Sequence, residues 1–265
     1  MRFLIIVLFL ALPAMADELI LKDGKKIEWK LLSDEGDTYE VTTPQGTKVT
    51  VKKDDVERLA KSRLPEVLTG ATFTFDKKRK LETVDLFTKI DPKKDVVGGS
   101  WKFVGSSLVG TRTGADNAKL QIGFTPQEEY DLMMTIERKE TLGDAPGIMI
   151  GLIGGGKQFG FFLDRAGGLN GPTLIDGQNN LNNGLGIPGK FFEKGKPRTI
   201  VFMVRKEALI VMVDGKDYFS WKADWNKVSV EAFFAVQSKN TLFLAIESAT
   251  FQIQKAVVTT PKAQP

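Results

Sequence analysis

Neither cysteine nor histidine occurs anywhere in this 265-residue chain. Without cysteine there are no disulfides, no thiolate nucleophile or metal ligand, and no lipid thioether anchor. Without histidine the Ser-His-Asp and Cys-His relays, imidazole-ligated zinc and an imidazole base near neutral pH are excluded too. Only carboxylates, Lys, Tyr and Ser are left as catalytic groups. An excess of one charge is also lacking: Lys plus Arg is 37 against 33 Asp plus Glu, a net +4 dispersed along the chain, so no nucleic acid partner is expected. The one dense basic run, Lys77-Lys78-Arg79-Lys80, reads as a solvated linker, with acidic lipid or anionic polysaccharide as the alternative contact. The single long apolar run, residues 3–12, falls short of the roughly 20 residues that a membrane span needs, so no membrane span is expected.

That run has another reading. Met1-Arg2, the apolar stretch and then Ala14-Met15-Ala16 before Asp17 form a secretory signal peptide, residues 1–16, cleaved after Ala16. The expected address is exported, periplasmic or extracellular. Loss of Arg2 with the leader leaves 249 residues and a net +3, and the chain is 42% apolar, enough for one large domain and one small.

Turn chemistry supplies most of the architecture, because Asp-Gly and Asn-Gly pairs accept the positive φ angles of tight hairpins. Lys22-Asp23-Gly24-Lys25, Glu35-Gly36-Asp37 and Gln45-Gly46 punctuate four strand-like runs between residues 19 and 51. Asp54-Asp55-Val56-Glu57-Arg58-Leu59 reads as one helical turn behind an Asp cap. Together these runs resemble the small SH3-like or Sm-like barrels found ahead of other domains in exported bacterial proteins, over residues 17–62. Residues 63–83, with Pro65, Gly70, the basic run and the strand-like Thr72-Phe73-Thr74-Phe75, read as a linker.

From residue 84 strand signals recur at 101–104, 107–112, 120–124, 130–137, 147–153, 159–163, 199–205, 209–213 and 242–253. Tyr130, Leu132, Met134 and Ile136 alternate with Asp131, Met133, Thr135 and Glu137, the period of a strand with one buried face. Many strands, little helix and Gly-rich corners indicate an all-β, two-sheet jelly-roll sandwich over residues 84–258, with a polar, disordered tail at 259–265.

Gly99-Ser100-Trp101-Lys102-Phe103-Val104 with Ser107-Leu108-Val109-Gly110, then Tyr130-Asp131-Leu132, Pro146-Gly147-Ile148-Met149-Ile150-Gly151 and Val211-Met212-Val213-Asp214-Gly215-Lys216, resemble the concanavalin A-like lectin/glucanase superfamily. Within it the nearest likeness is to the 3-keto-disaccharide hydrolase domain family, which implies a jelly roll whose concave face handles sugars. That family usually carries a Glu and a Gln before an Asp in the strand after the Gly-Ile strand. Here Phe159-Gly160-Phe161-Phe162-Leu163-Asp164-Arg165 keeps only Asp164.

Two motifs have plainer readings. Gly151-Leu152-Ile153-Gly154-Gly155-Gly156-Lys157-Gln158 lacks the Ser or Thr that a P-loop needs after its Lys, and it runs into a strand, so it reads as a glycine-rich hairpin corner. Glu35, Asp37 and Glu40 have the acid spacing of retaining glycosidases but straddle a turn, and read as a solvated hairpin.

The candidate site is the segment 166–190, with seven Gly, five Asn and no plausible strand, since a structureless stretch of this length inside a compact domain is commonly functional or disordered. Arg165, Asn170, Asp176, Gln178, Asn179, Asn180, Asn182 and Asn183 offer donors and acceptors suited to sugar hydroxyls, and Trp221 and Trp225 offer rings on which sugars stack. Asp164 is the candidate catalytic carboxylate. Asp131, Glu137, Glu231 and Glu247 also lie on expected strands, where an acid is costly unless paired or used, but no pair can be chosen. No cofactor and no metal is assigned: the acid spacing matches no calcium-loop motif, and calcium on the carbonyl and carboxylate oxygens of the same segment stays an alternative to sugar. The expected function is an exported carbohydrate-binding protein without catalysis, its partner a carbohydrate or cell-envelope polysaccharide held in a trough beside the Asn-rich segment. A glycoside hydrolase of the 3-keto-disaccharide type and a structural envelope protein are the alternatives; oligomeric state is not legible.

Overall fold

The computed structural model describes residues 17–29, 31–35, 37–43, 47–60, 80–114 and 116–262. The signal peptide, the Thr72-Phe73-Thr74-Phe75 patch and Lys77 to Arg79 lie outside the described residues. The chain divides into two units, Met1–Arg63 and Leu64–Pro265.

The first unit holds β1 (Asp17–Leu21), β2 (Lys26–Trp29), β3 (Leu31–Glu35), β4 (Thr38–Thr42), β5 (Lys48–Lys52) and β6 (Val56–Ala60). They pair antiparallel as β2-β1-β6 and β3-β4-β5, and among the described residues the two sheets share no ladder. The β1–β2 turn follows its Asp-Gly pair: Gly24 has φ +84, and Asp23 Oδ1 accepts from the Lys25 N–H at 2.9 Å. The helical turn expected at Asp54 to Leu59 is instead a three-residue 3-10 turn, Lys53–Asp55, followed by β6. No side chain caps that turn, and Leu59 pairs with Leu19, so the ladder with β1 overrides the local helix signal.

The second unit holds β7 (Leu81–Asp85), β8 (Val96–Gly98), β9 (Ser100–Val104), β10 (Ser107–Thr111), β11 (Ala118–Gln121), β12 (Tyr130–Thr141), β13 (Gly147–Gly154), β14 (Lys157–Arg165), β15 (Leu169–Pro172), β16 (Ile187–Pro188), β17 (Arg198–Arg205), β18 (Ala208–Val213), β19 (Lys216–Lys222), β20 (Phe243–Glu247) and β21 (Ala249–Pro261). One sheet has eight strands, in the order β19-β18-β17-β12-β21-β10-β9 with β7 on β21; the other has seven, β16-β15-β14-β13-β20-β11-β8. The two pack as an all-β jelly-roll sandwich, the fold class that strand spacing and the concanavalin A-like resemblance imply. Leu132, Met134, Phe202 and Phe251 from the larger sheet meet Ile148, Ile150, Phe161 and Leu244 from the smaller in one core, with Phe161 and Phe202 edge to face at 5.4 Å.

Two glycine-bearing corners match their sequence reading. The β13–β14 turn is Gly155-Gly156, φ +54 and +76, and the β18–β19 turn is Asp214-Gly215, φ +50 and +76, both two-residue hairpins with positive φ throughout. Lys157 therefore begins a strand, its Nζ donating to the Asn226 carbonyl at 3.0 Å, and no phosphate loop exists there.

Other boundaries differ from the sequence reading. The expected single strand 242–253 is two strands in different sheets, because Ser248 takes φ +44 and turns the chain from β20 into β21. No Gly or Pro marks that break, so the apolar pattern runs through it. Residues 81–83, read as linker, and 259–261, read as tail, pair with each other as β7 and the end of β21, and Thr260 Oγ1 donates to the Glu129 carbonyl. Each segment is a weak strand alone and gains its ladder from the other. No helix among the described residues is long and apolar enough to cross a membrane.

Candidate functional site

The segment 166–190 is an ordered extension of the seven-stranded sheet, carrying β15 and β16 where no strand was expected. Asp164, at its root, is wholly buried. Its carboxylate accepts from Phe191 N–H at 2.5 Å, Phe192 N–H at 2.9 Å and Arg138 Nη1 at 2.9 Å. A carboxylate enclosed by three protein donors has no approach for substrate, so the catalytic expectation for Asp164 gives way to a structural tie between β14 and residues 191–192. Asn170, also buried, accepts from the Asp164 N–H and donates to the carbonyls of Ile187 and Gly189, closing the loop on itself. Asn179 and Asn183 accept from backbone N–H groups two residues on, the side-chain turns for which Asn is favoured. Asp176 and Gly177 form the tip of a turn between Ile175 and Gln178; Asp176 is exposed and pairs with Lys227 at 3.2 Å, and Gln178 is exposed. Most of the asparagines thus fold the loop.

Trp225 is likewise occupied. Its Nε1 donates to the Lys206 carbonyl at 2.7 Å, and its ring fills the space where side chains on Gly154 and Gly155 would sit. Only 7% of it is exposed, so its ring face is not offered to a sugar. Trp221 packs edge-on to it at 5.7 Å and stays half-buried.

The trough expected beside the Asn-rich segment would lie on the outer face of the seven-stranded sheet, which that segment extends. Every residue of β13 is buried, so both faces of that strand are covered. Ile148, Ile150 and Leu152 point into the sandwich core, whereas Met149 joins Phe162, Phe243 and Ala245 in a separate outer cluster. Phe234 and Val236, from the segment 228–240, seal it, with Phe162 and Phe234 edge to face at 5.2 Å. Gly151 makes room for the Phe243 ring, since a Cβ there would lie 1.9 Å from it. Burial of Phe234 alone contributes about 1.5–3 kcal/mol. The middle of the face is therefore closed by hydrophobic packing, and an open trough across it is ruled out.

Beyond that cluster the same face ends in charge. Arg165 forms a two-pronged pair with Glu231, at 2.5 and 2.8 Å, and its Nη1 also donates to Asn180 Oδ1 at 3.1 Å. The guanidinium lies over the Phe162 ring, 5.4 Å from its centroid. Glu247, the last residue of β20, pairs in the ladder with Gly147, and Arg112 donates to the neighbouring Ser248 hydroxyl at 2.8 Å. Burial pushes the Glu247 carboxyl above its ordinary value; Arg165 and Arg112 pull it back, while the charge of Glu231 pushes it further up.

The acids read on strands differ in their partners, and Glu231 lies not on a strand but just before the 3-10 turn Ala232–Phe234. Asp131 pairs with Arg205, Glu137 with Lys139 and Gln254, Asp164 with Arg138, and Glu231 with Arg165. Among the described residues the Glu247 carboxylate makes no hydrogen bond or ion pair, although it stands beside two guanidiniums. Of the sequence candidates the fold brings Arg165 and Asn180 here, and leaves Asp176, Gln178 and Trp221 elsewhere on the unit. Glu231, gripped by the two-pronged Arg165, and Glu247, whose carboxyl burial pushes above its ordinary value, can both accept hydroxyl hydrogens. Among the described residues no group of three acids, histidines or cysteines could hold a metal ion.

No family model matches the sequence, and no curated protein matches it. Among solved structures the chain is similar to the carbohydrate binding module CBM66 from Bacillus subtilis, with 11% identity over 61% of this chain and 91% of that one and a TM-score of 0.43. The carbohydrate recognition domain of Emp47p is similar at 15% identity over 72% and 100%, with a TM-score of 0.42. The Crh5 transglycosylase in complex with NAG is similar at 10% identity over 70% and 85%, with a TM-score of 0.45.

Proposed function

We propose that this is an exported carbohydrate-binding protein whose jelly roll contacts glycan at the charged end of the smaller sheet, through Glu247, Arg165 and Arg112, with the buried Asn180 holding Arg165 in place. The observation that carries the reading is the Glu247 carboxylate, a half-buried acceptor with no protein partner among the described residues, where Asp131, Glu137, Asp164 and Glu231 each have one. Sugar hydroxyls supply the donors that such a group lacks, and the two arginines beside it supply the complementary polar groups. Two arginines offset two glutamates, so the cluster favours neutral sugars over strongly charged ones. Isothermal titration of the folded protein against poly- and disaccharides tests it. Saturable heat that falls about tenfold in affinity on Glu247→Gln, roughly 1.4 kcal/mol, is the expected result. No heat with any saccharide refutes it.

The rise in the Glu247 carboxyl favours one second reading, hydrolysis of a glycoside with Glu247 as general acid, in keeping with the resemblance to the 3-keto-disaccharide hydrolase domain family. Release of sugar from aryl glycosides or 3-keto-disaccharides, abolished in Glu247→Gln, is its test. Full turnover in that variant excludes the acid role.

A further inference from the structure

The β13–β14 hairpin has a second polar feature at its other end, seven strand positions from Gly147 and so about 23 Å away at roughly 3.3 Å per residue. There the segment 125–128, Ile153, the Gly155-Gly156 turn and Asn240 enclose a cleft of about 390 Å³. That is within the range of small-ligand sites, roughly 300–1,000 Å³, and at its lower end.

Its walls are held in place by buried contacts. The segment 125–128 leads into β12, whose first residue, Tyr130, is fully buried and accepts from the Ile153 N–H through its hydroxyl oxygen at 2.9 Å. Trp225 packs beneath Gly154 and Gly155. Gln158, the ladder partner of Ile153, donates through Nε2 to the carbonyls of Ser238 and Thr241, at 3.1 and 2.7 Å, fixing the turn that carries Asn240. Gln158 is 7% exposed, yet its Oε1 has no hydrogen-bond partner, and neither does the buried Thr241 Oγ1 next to Asn240. Both atoms belong to residues that adjoin lining positions, Gln158 to Ile153 in the ladder and Thr241 to Asn240 in sequence.

The lining itself mixes an apolar base, Pro126 and Ile153, with exposed polar side chains, Thr125, Gln127, Glu128 and Asn240. Gly156 leaves open space where a side chain would stand, so backbone can be approached closely. No cation lines the cleft: Lys206 lies 3.8 Å from Glu128 on its rim, and Lys157 is turned to the Asn226 carbonyl. An anionic ligand would meet the Glu128 carboxylate at the lining itself, with its Lys206 partner outside the lining.

We propose that this cleft is a second binding site, taking a neutral, hydroxyl-rich ligand of monosaccharide size. The site rests on the carbohydrate reading for its ligand class but shares no residue with the Glu247 cluster. The test is saturation-transfer NMR on the full chain with the methyl glycosides of glucose, mannose and galactose and with N-acetylglucosamine, using glucuronate as the anionic probe. The protein is compared with the double variant Gln127→Ala/Asn240→Ala, whose two side chains are exposed, and circular dichroism checks its fold. A saturable signal from a neutral glycoside, reduced at least tenfold in the double variant and weaker for glucuronate, supports the site. A signal fully kept by the double variant overturns the cleft and leaves the Glu247 reading standing. Glucuronate bound as well as the neutral sugars overturns the ligand class. No signal from the folded protein overturns the cleft, while the titration with poly- and disaccharides decides the Glu247 reading separately.

Discussion

Removal of the Asp164 carboxylate is the sharpest test of how the jelly roll is held together. Asp164→Ala leaves three donors facing nothing: the Phe191 and Phe192 N–H groups and the Arg138 guanidinium, whose side chain is 12% exposed. Loss of one member of a buried ion pair costs about 3–5 kcal/mol, and each buried N–H left without an acceptor costs about 1–3 kcal/mol when measured singly. These terms overlap because the donors share one acceptor, so the expected loss is about 4 kcal/mol rather than their total. Position 164 also has φ +60, which a β-carbon without a polar group tolerates less well than Asp does. For a unit of this size a loss of about 4 kcal/mol lowers Tm by roughly 8–16 °C. Urea unfolding followed by tryptophan fluorescence measures it. Asp164→Ala/Arg138→Met should recover part of the loss, because the second change removes the unpaired charge. A midpoint within about 1 kcal/mol of wild type for Asp164→Ala would refute the structural assignment, whereas normal stability with lost turnover would return Asp164 to catalysis.

Gly151→Ala drives a Cβ into the Phe243 ring, which cannot retreat beneath Phe234, and should destabilise by about 1–3 kcal/mol; Gly156→Ala, which meets nothing but has φ +76, should lose only about 1–2 kcal/mol, and thermal melts of the pair separate crowding from backbone strain. Phe234→Ala should cost about 3–5 kcal/mol and speed hydrogen exchange in the segment 228–240; unchanged exchange there would mean that the ring does not hold the cover down. Glu247 sets a pH dependence. Its folded carboxyl titrates above its unfolded value, so between those two values the folded chain binds more protons and stability falls as pH rises; Glu247→Gln should be the more stable protein at pH 7 and lose that advantage below the ordinary glutamate range, near pH 4.3. Equal stability of the two at all pH values contradicts the burial of that carboxyl.

Local chemistry made much of the fold legible. Asp214-Gly215 and Gly155-Gly156 name their hairpins because few other residue pairs accept two positive φ angles in succession, and β12 declares its buried face through Tyr130, Leu132, Met134 and Ile136, all nearly inaccessible. The same chemistry misled where a polar residue serves its own backbone. Asn170, Asn179 and Asn183 look like ligand groups in sequence and act as loop ties, since an amide that can satisfy a nearby backbone group does so without a ligand. Trp225 reads as available at a hairpin end, yet the carbonyls that satisfy its N–H come from residues 205 and 206, the whole β18–β19 hairpin away.

What the sequence by itself determined is the strand-and-turn grammar of an all-β chain and the exclusion of thiol and imidazole chemistry. Only the tertiary structure decided that β7 completes the end of β21, that residues 228–240 cover the smaller sheet, and that Arg165 reaches Glu231 across sixty-six positions while Glu247, beside them, has no partner among the described residues. The physical reason is one of range. A turn is set by the φ angles its own residues can adopt, whereas the fate of a carboxylate depends on which distant donor the sheet ladder places within three ångströms of it.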